Sequence, residues 1–337
     1  EGFREHLRFW MVDMYAKRFG ADGIYLDQTG ATLAKPCYNL GHGHDDIGDW
    51  GMGNLKLFET VIEQARAINP DFILSIEGAA DALGQYASLH LISGLCTHPE
   101  VYHYTFPDHI LISGISNNSP LTVPQRTTRA FINGDRFDAR VGASDIVSAV
   151  MLRQRVKRWL YPGRFMDTVG LTVSDDRVLA RWAVCNQPGE RAIVLSFENE
   201  QLAQDVTATL VLPDEMQAPP MVYVFDREGN VWPEAPMIDG GALTVAAPPS
   251  SISTALVLYE TAVANAADVW QTDPEEPLLG GSILLRAVNL SAEDLAATLR
   301  VTGSSPLALA EQEFALDLAA GAAREFELAL AGFEQLQ

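Results

Sequence analysis

The sequence predicts two fold classes in tandem: an α/β part to about residue 170, read as the carboxyl-terminal half of a (β/α)8 barrel, then an all-β part of antiparallel sandwich modules. Three observations carry this reading. Amphipathic helical stretches alternate with short apolar runs in the first part, the pattern of a parallel sheet with crossover helices. Short, often alternating β-type runs separated by Pro-, Gly- and Asn-rich turns fill the second. Charge is also divided unevenly: residues 1–170 hold 16 basic and 19 acidic side chains, whereas 171–337 hold 7 and 25, and all seven histidines and all four lysines lie in the first part. Side chains that titrate near neutrality or ligate metals are therefore concentrated upstream, where chemistry is expected.

The elements follow in order. Phe3, Leu7, Trp10, Met11, Met14 and Tyr15 recur at spacings of three and four, predicting one helix over 3–19 with a buried stripe. After the turn Gly20-Ala21-Asp22-Gly23, the run Ile24-Tyr25-Leu26 ends in Asp27. A second helix, 54–68, places Leu55, Phe58, Val61, Ile62 and Ala65 on one face and stops at Asn69-Pro70, before a strand 72–76 that ends in Glu77. Runs 91–95 and 110–115 read as further strands and 146–159 as a closing helix, giving four or so strands, apolar throughout because a parallel sheet is covered on both faces. Runs 178–184, 192–196, 206–212, 221–225 and 254–259 make a sandwich over 171–262. A linker near 262–277 leads to a second small β-rich module, 263–337, with runs 282–288, 296–301 and 324–330; its Ala, Leu and Glu content leaves helix open for parts of it.

With 337 residues, 47% of them hydrophobic, the chain holds enough apolar material for two or three domains. A formal charge of −21 disfavours nucleic acid and anionic membrane surfaces as partners. The local exception, Arg153, Arg155, Lys157 and Arg158, reads as a solvated helix face. No membrane span or signal peptide is read, and the opening inside a helix predicts further sequence upstream. Cys37, Cys96 and Cys185 form neither a disulfide framework nor a zinc motif. Compartment and oligomeric state are not read from the sequence.

Asp27 and Glu77 end successive strands. In a parallel barrel the site lies at the carboxyl ends of the strands, so both acids are expected in one pocket. On neighbouring strands, about 4.8 Å apart, they come within reach of the roughly 5 to 5.5 Å separation of retaining glycosidases. Asp27, whose neighbours Tyr25 and Gln28 can hydrogen-bond its charged form, is the expected nucleophile, and Glu77 the acid/base. The alternative for each is a buried acid that caps the following loop.

Asp-Gly-Ile-Tyr-Leu-Asp-Gln at 22–28, Cys-Tyr at 37–38, Gly-His-Gly-His at 41–44, Ser-Ile-Glu-Gly at 75–78, Tyr-Thr-Phe-Pro-Asp-His at 104–109 and Arg-Ala-Phe-Ile-Asn-Gly-Asp-Arg-Phe at 129–137 together resemble an uncharacterised bacterial family of glycoside hydrolase-like (β/α)8 barrel proteins. More distantly the segment is similar to retaining enzymes of the α-amylase and endo-α-N-acetylgalactosaminidase type. Those carry an Asp nucleophile after the fourth barrel strand and a Glu acid/base after the fifth. The resemblance covers about residues 3–170 and implies the same roles for Asp27 and Glu77. It also implies that three strands of such a barrel precede Glu1.

The Gly-rich segment from Gln28 to about Gly53 is a long loop at the expected active face. His42, His44 and Trp50 are placed near sugar, with loop packing as the alternative; Cys37 reads as a small buried thiol, with lining the pocket as the alternative. His42-Gly43-His44-Asp45-Asp46 also begins a binuclear metallohydrolase pattern, but position 47 is Ile where a ligating His is required. Calcium on Asp45, Asp46 and Asp49 stays open on oxygen-ligand grounds. In the segment 102–109, Tyr102 or Tyr104 is expected to stack on a sugar and Asp108 or His109 to bond its hydroxyls, the alternative being aromatic packing. His98 and Glu100 are weaker candidates, and His6 and His90 are assigned to surface or helix packing. No organic cofactor is implied, since neither a Gly-x-Gly-x-x-Gly turn nor a phosphate loop occurs. The expected activity is retaining hydrolysis of an oligo- or polysaccharide; the competing expectation is a noncatalytic carbohydrate-binding or scaffold protein.

Overall fold

The computed structural model describes residues 2–31, 36–39, 41, 43–44, 46–92, 98–115, 121–139, 146–199, 204–216, 220–227, 230–261, 267–271, 282–291, 293–301 and 312–329. Two compact units divide the chain, 1–142 and 143–337.

The first unit is a five-stranded parallel sheet, β1 (Gly23–Leu26), β2 (Ile73–Glu77), β3 (Leu89–Ile92), β4 (Ile110–Ile115) and β5 (Arg136–Ala139), each strand beside its predecessor. Between them run α2 (Trp50–Ile68), α3 (Asp81–Gly84), α4 (Pro99–Thr105) and α5 (Val123–Ile132). One strand more is present than the sequence pattern suggested. Its helix, α5, opens on a capping box in which Thr122 Oγ1 accepts from the Gln125 amide and Gln125 Oε1 from the Thr122 amide.

The opening helix departs from expectation. It begins as α1 (Gly2–Arg8) and continues as a π-helical segment, Phe9–Arg18. Hydrogen bonds from residue i to i+5 widen each turn, so the buried positions become Met11, Val12 and Ala16. Of the predicted stripe, Phe3, Trp10 and Tyr15 are exposed.

The core of this unit lies between the sheet and its helices. Ile24 and Leu26 of β1, together with Leu74 and Ile76 of β2, pack against Met11, Val12, Phe58, Val61, Ile62 and Ala65. Strand residues alternate between faces, so Tyr25, Ile73 and Ser75 occupy the opposite face. Tyr25, Ile73 and Ile110 are 44%, 45% and 37% exposed, which departs from the expectation of a sheet covered on both faces.

The second unit opens with α6 (Val147–Leu160), followed by β6 (Arg164–Asp167). Both precede residue 170 in sequence, yet α6 packs on strands of this unit and β6 is hydrogen-bonded into its sheet. The basic cluster on α6 is not uniformly solvated. Arg155 is buried with its guanidinium 4.5 Å from the Phe225 ring centroid, while Lys157 stays exposed.

Two antiparallel sheets share one core. The first has the order β13 (Met237–Asp239), β14 (Ala242–Ala247), β10 (Val206–Val211) and β7 (Leu171–Val173). The second has the order β12 (Val231–Glu234), β11 (Met221–Asp226), β15 (Ser253–Glu260), β9 (Glu190–Glu198), β8 (Leu179–Gln187) and β6. Leu210, Leu243 and Val245 of the first face Ile193, Leu195, Val222, Val224 and Val257 of the second. Beyond residue 262 the chain is again β: β16 (Ala267–Gln271), β17 (Ser282–Asn289) and β20 (Ala323–Ala329) form one sheet, β18 (Leu295–Val301) and β19 (Gln312–Leu318) another. The helical alternative for these runs does not occur among the described residues. No helix among them is long and apolar enough to cross a membrane.

Candidate active site

Strand register decides which side chains meet. β1 and β2 pair in parallel with Gly23 opposite Ile73 and Leu26 opposite Ile76, so Asp27 and Glu77 are the next residues along adjacent strands, at their carboxyl ends and on one face. Leu26 and Ile76 turn to the helix core, which sends the residues after them the other way.

Local geometry ties the pair together. Tyr25 Oη donates to Asp27 Oδ1 at 3.3 Å, and the Gln28 amide donates to Glu77 Oε2 at 3.0 Å. The Glu77 carboxylate thus sits against the peptide that links Asp27 to Gln28. Gln28 itself has φ +58°, a left-handed conformation that costs a non-glycine residue energy and here delivers its N–H to the carboxylate. Asp27 is exposed and Glu77 half-buried.

The two turns behind the acids are interlocked. Gly78 has φ +88°, and a Cβ there would lie 2.5 Å from the Gly30 carbonyl carbon; a Cβ on Gly30 would lie 2.6 Å from the Glu77 carbonyl oxygen. Only glycine fits either position. Beside these turns opens a cleft of about 320 Å³ lined by Thr29, Gly30, Met52, Leu55, Ala80 and Leu83, among others. It lies within the range of small-molecule sites and is largely apolar.

The other expected ligands fall in different places. Trp50 is the first residue of α2, four positions earlier than the predicted start, and His44 is half-buried in the preceding segment. Cys37 is half-buried there, with its amide bonded to the Ile47 carbonyl at 2.8 Å. His42 and Asp45, needed for the metallohydrolase and calcium readings, lie outside the described residues, as does Cys96. Tyr104 and Asp108 are exposed on and after α4. His98 and Glu100 bond each other at 3.1 Å.

Tyr102 and His109 are not brought to the acids. The segment 99–105 is helix rather than loop, and Tyr102 Oη lies 3.2 Å from His90 Nε2 and 3.0 Å from His109 Nδ1. His90 pairs in register with Ile76, so it occupies the helix-facing side of the sheet, and it is fully buried. Hydroxyl and imidazoles are spent on one another behind the sheet. Burial pushes the His90 and His109 imidazoles below their ordinary range; for His90 the hydrogen bond to Gly78 opposes this, and for His109 the neighbouring Asp108 charge does.

The sequence reading missed a second buried cluster. Asp135, immediately before β5, is 1% exposed, and its Oδ2 accepts from Ser113 Oγ at 2.7 Å. Burial pushes this carboxyl up to about 7, with the Ser113 hydrogen bond opposing and the Glu100 charge adding. Nearby, His103 Nδ1 lies 2.7 Å from the Asn133 carbonyl oxygen, and its imidazole is lowered chiefly by burial. The Asn-Gly-Asp turn at 133–135, ahead of a strand, was the available signal.

Residues 4–97 match the Domain of unknown function DUF6259. No curated protein matches the chain. Among solved structures the chain is similar to a noncanonic maltogenic α-amylase, AmyB, from Thermotoga neapolitana, at 10% identity and TM-score 0.47, over 77% of this chain and 67% of that one. It is similar to an α-amylase from Geobacillus thermoleovorans at 11% identity and TM-score 0.48, over 77% and 66% of the two chains. A third likeness is a GH27 β-L-arabinopyranosidase from Geobacillus stearothermophilus, at 10% identity and TM-score 0.45, over 75% and 62%. The chain thus spans about two thirds of the length of the structures it matches.

Proposed function

We propose that this chain carries the catalytic acids of a retaining glycoside hydrolase acting on an oligo- or polysaccharide, with Asp27 as nucleophile and Glu77 as acid/base. The register of β1 on β2 carries this reading, because it sets two carboxylates side by side at the ends of adjacent parallel strands. Strand spacing of about 4.8 Å suits the short separation of a retaining pair better than the roughly 6.5–9.5 Å of an inverting one.

In the first step an Asp27 oxygen bonds to the anomeric carbon as the bond from that carbon to the leaving oxygen breaks, and the leaving oxygen takes the proton of Glu77. The Gln28 amide engages Oε2 of Glu77, which assigns the transferred proton to Oε1. In the second step the ionised Glu77 removes a proton from water, the water oxygen bonds to the anomeric carbon, and Asp27 departs. Tyr25 holds the attacking carboxylate through its hydroxyl. His42, His44, Trp50, Tyr104 and Asp108 are proposed as substrate contacts. The supporting architecture is proposed as half of a (β/α)8 barrel (β1–β5), a β-sandwich, and a further β module beyond residue 262 with its own core of Ala287, Leu316, Leu318 and Phe326.

The test is a panel of aryl α- and β-glycosides. Asp27→Asn is expected to lose at least about 10³-fold in kcat, and Glu77→Gln to lose least on substrates whose leaving group needs no proton. Unchanged hydrolysis by Asp27→Asn removes it as nucleophile. Sugar binding by the parent chain with no turnover on any substrate favours the noncatalytic reading instead.

A further inference from the structure

We propose that His90 is a positioning residue for Glu77, acting through the Gly78 carbonyl from the opposite face of the sheet. The rate effect it predicts rests on the hydrolase reading above; the placement of the carboxylate does not.

Gly78 follows Glu77 directly and is clamped by β3 at both its polar atoms. Its N–H donates to the Leu91 carbonyl at 2.7 Å, and its carbonyl oxygen lies 3.2 Å from His90 Nδ1. A carbonyl only accepts, so His90 Nδ1 carries the hydrogen. The imidazole is fully buried, which favours its neutral form, so Nε2 is an acceptor and Tyr102 Oη donates to it. The Tyr102 oxygen then accepts from His109 Nδ1–H. With the hydrogen on His90 Nδ1, the chain of bonds runs from His109 to Tyr102 to His90 to the Gly78 carbonyl.

The clamp reaches the carboxylate because the turns are interlocked. Gly78, held at φ +88°, abuts Gly30, and Gly30 abuts the Glu77 carbonyl. The Leu91 carbonyl holds the 77–78 peptide and His90 the 78–79 peptide, so the two bonds together fix the torsions at Gly78 and with them the direction in which Glu77 enters the turn, relative to the Gln28 amide and Asp27. His90 lies on the helix-facing side, where it bonds Gly78 and Tyr102, so its effect is orientation. Gly84 makes room for the chain: a Cβ there would lie 2.6 Å from His109 Cε1 and 2.8 Å from Tyr102 Oη.

Three variants of the full chain test this. His90→Asn keeps an N–H near Nδ1, His90→Leu removes it, and Tyr102→Phe removes only the donor to Nε2. Two readouts are taken: kcat and KM on an aryl glycoside, and the pH titration of the ¹⁵N-labelled Gln28 amide, which reports the Glu77 carboxylate and is calibrated with Glu77→Gln. Expected are a loss of about 10²-fold in kcat for His90→Leu, KM within about threefold as for an orientation effect, and a Gln28 amide that no longer follows Glu77. His90→Asn is expected to recover most of both. A folded His90→Leu with kcat and the Gln28 titration unchanged overturns the proposal, as does His90→Asn being as impaired as His90→Leu. Should His90→Leu fail to fold, Tyr102→Phe decides, and parental values in both readouts refute it. A parent chain that hydrolyses nothing, but whose Gln28 amide follows Glu77 only while His90 is present, refutes the hydrolase reading and supports the positioning role.

Discussion

Asp135→Asn is expected to stabilise the first unit at alkaline pH and to flatten its pH dependence. Asp135 is buried, with Ser113 Oγ at 2.7 Å as hydrogen-bond donor and Glu100 as a repelling charge. Its carboxyl rises from 3.8 to about 7 in the folded chain. A folded value above the unfolded one means that the native state holds a proton the unfolded chain has released. The group's stabilising effect is therefore complete below the unfolded value and is lost as pH rises through the folded value. A rise of about three pH units corresponds to about 4 kcal/mol, and about 2 kcal/mol of this falls between pH 5.5 and 8. The amide of Asn can accept from Ser113 in the same geometry and carries no charge to desolvate. The measurement is native-state exchange of the β4 and β5 amides in both proteins at each pH, so that intrinsic exchange rates cancel in the ratio. His90, His103 and His109, lowered chiefly by burial, contribute with the opposite sign below about pH 6.5, but they are common to both proteins and drop out of the difference. Parallel pH curves, offset by a constant, refute the reasoning.

Gly78→Ala is expected to destabilise the first unit by about 3 kcal/mol or more, since it combines a left-handed φ with a Cβ 2.5 Å from backbone; a melting midpoint unchanged from the parent would contradict this. Thr122→Ala removes the acceptor of the α5 capping box and should cost about 1 kcal/mol, read as faster exchange in the first turn of α5, with equal exchange as the refuting result. Asn289→Ala in the second unit should cost about 2–4 kcal/mol, because the fully buried amide donates to the carbonyls of Glu293, Leu318 and Ala319 and accepts from Ser291. The loss should appear in exchange of the β17 and β19 amides and leave β9 and β15 unaffected.

The elements legible in sequence are those whose periodicity matches their packing. The run read over 110–115 and the strand Ile110–Ile115 coincide, and the runs read at 206–212 and 221–225 lie within a residue of β10 and β11. The opening helix failed where its winding changed, since a 3.6-residue stripe cannot be read along a π-helical turn. Strand β5 was passed over because Arg136-Phe137-Asp138-Ala139 lacks an apolar run; parallel pairing of Ile112 with Arg136 recruits it regardless. Arg155 was assigned to solvent by composition, whereas the fold packs it on Phe225 from a distant strand.

The same distinction separates the candidate acids from what holds them. Asp27 and Glu77 were nominated because each ends its own strand, a property local to a few residues. His90 was assigned to surface or helix packing. Its role arises from register: pairing with Ile76 turns it to the helix side, while Leu91, one residue on, pairs with Glu77. A side chain behind the sheet can then bond the carbonyl of the glycine that follows an acid in front of it. Tyr102 illustrates the converse error. Read as part of an aromatic loop, it was assigned to sugar; the helix that begins at Pro99 instead points its hydroxyl at His90 and His109. Local sequence therefore nominates candidate acids, and pairing between strands decides which side chains can hold them in place.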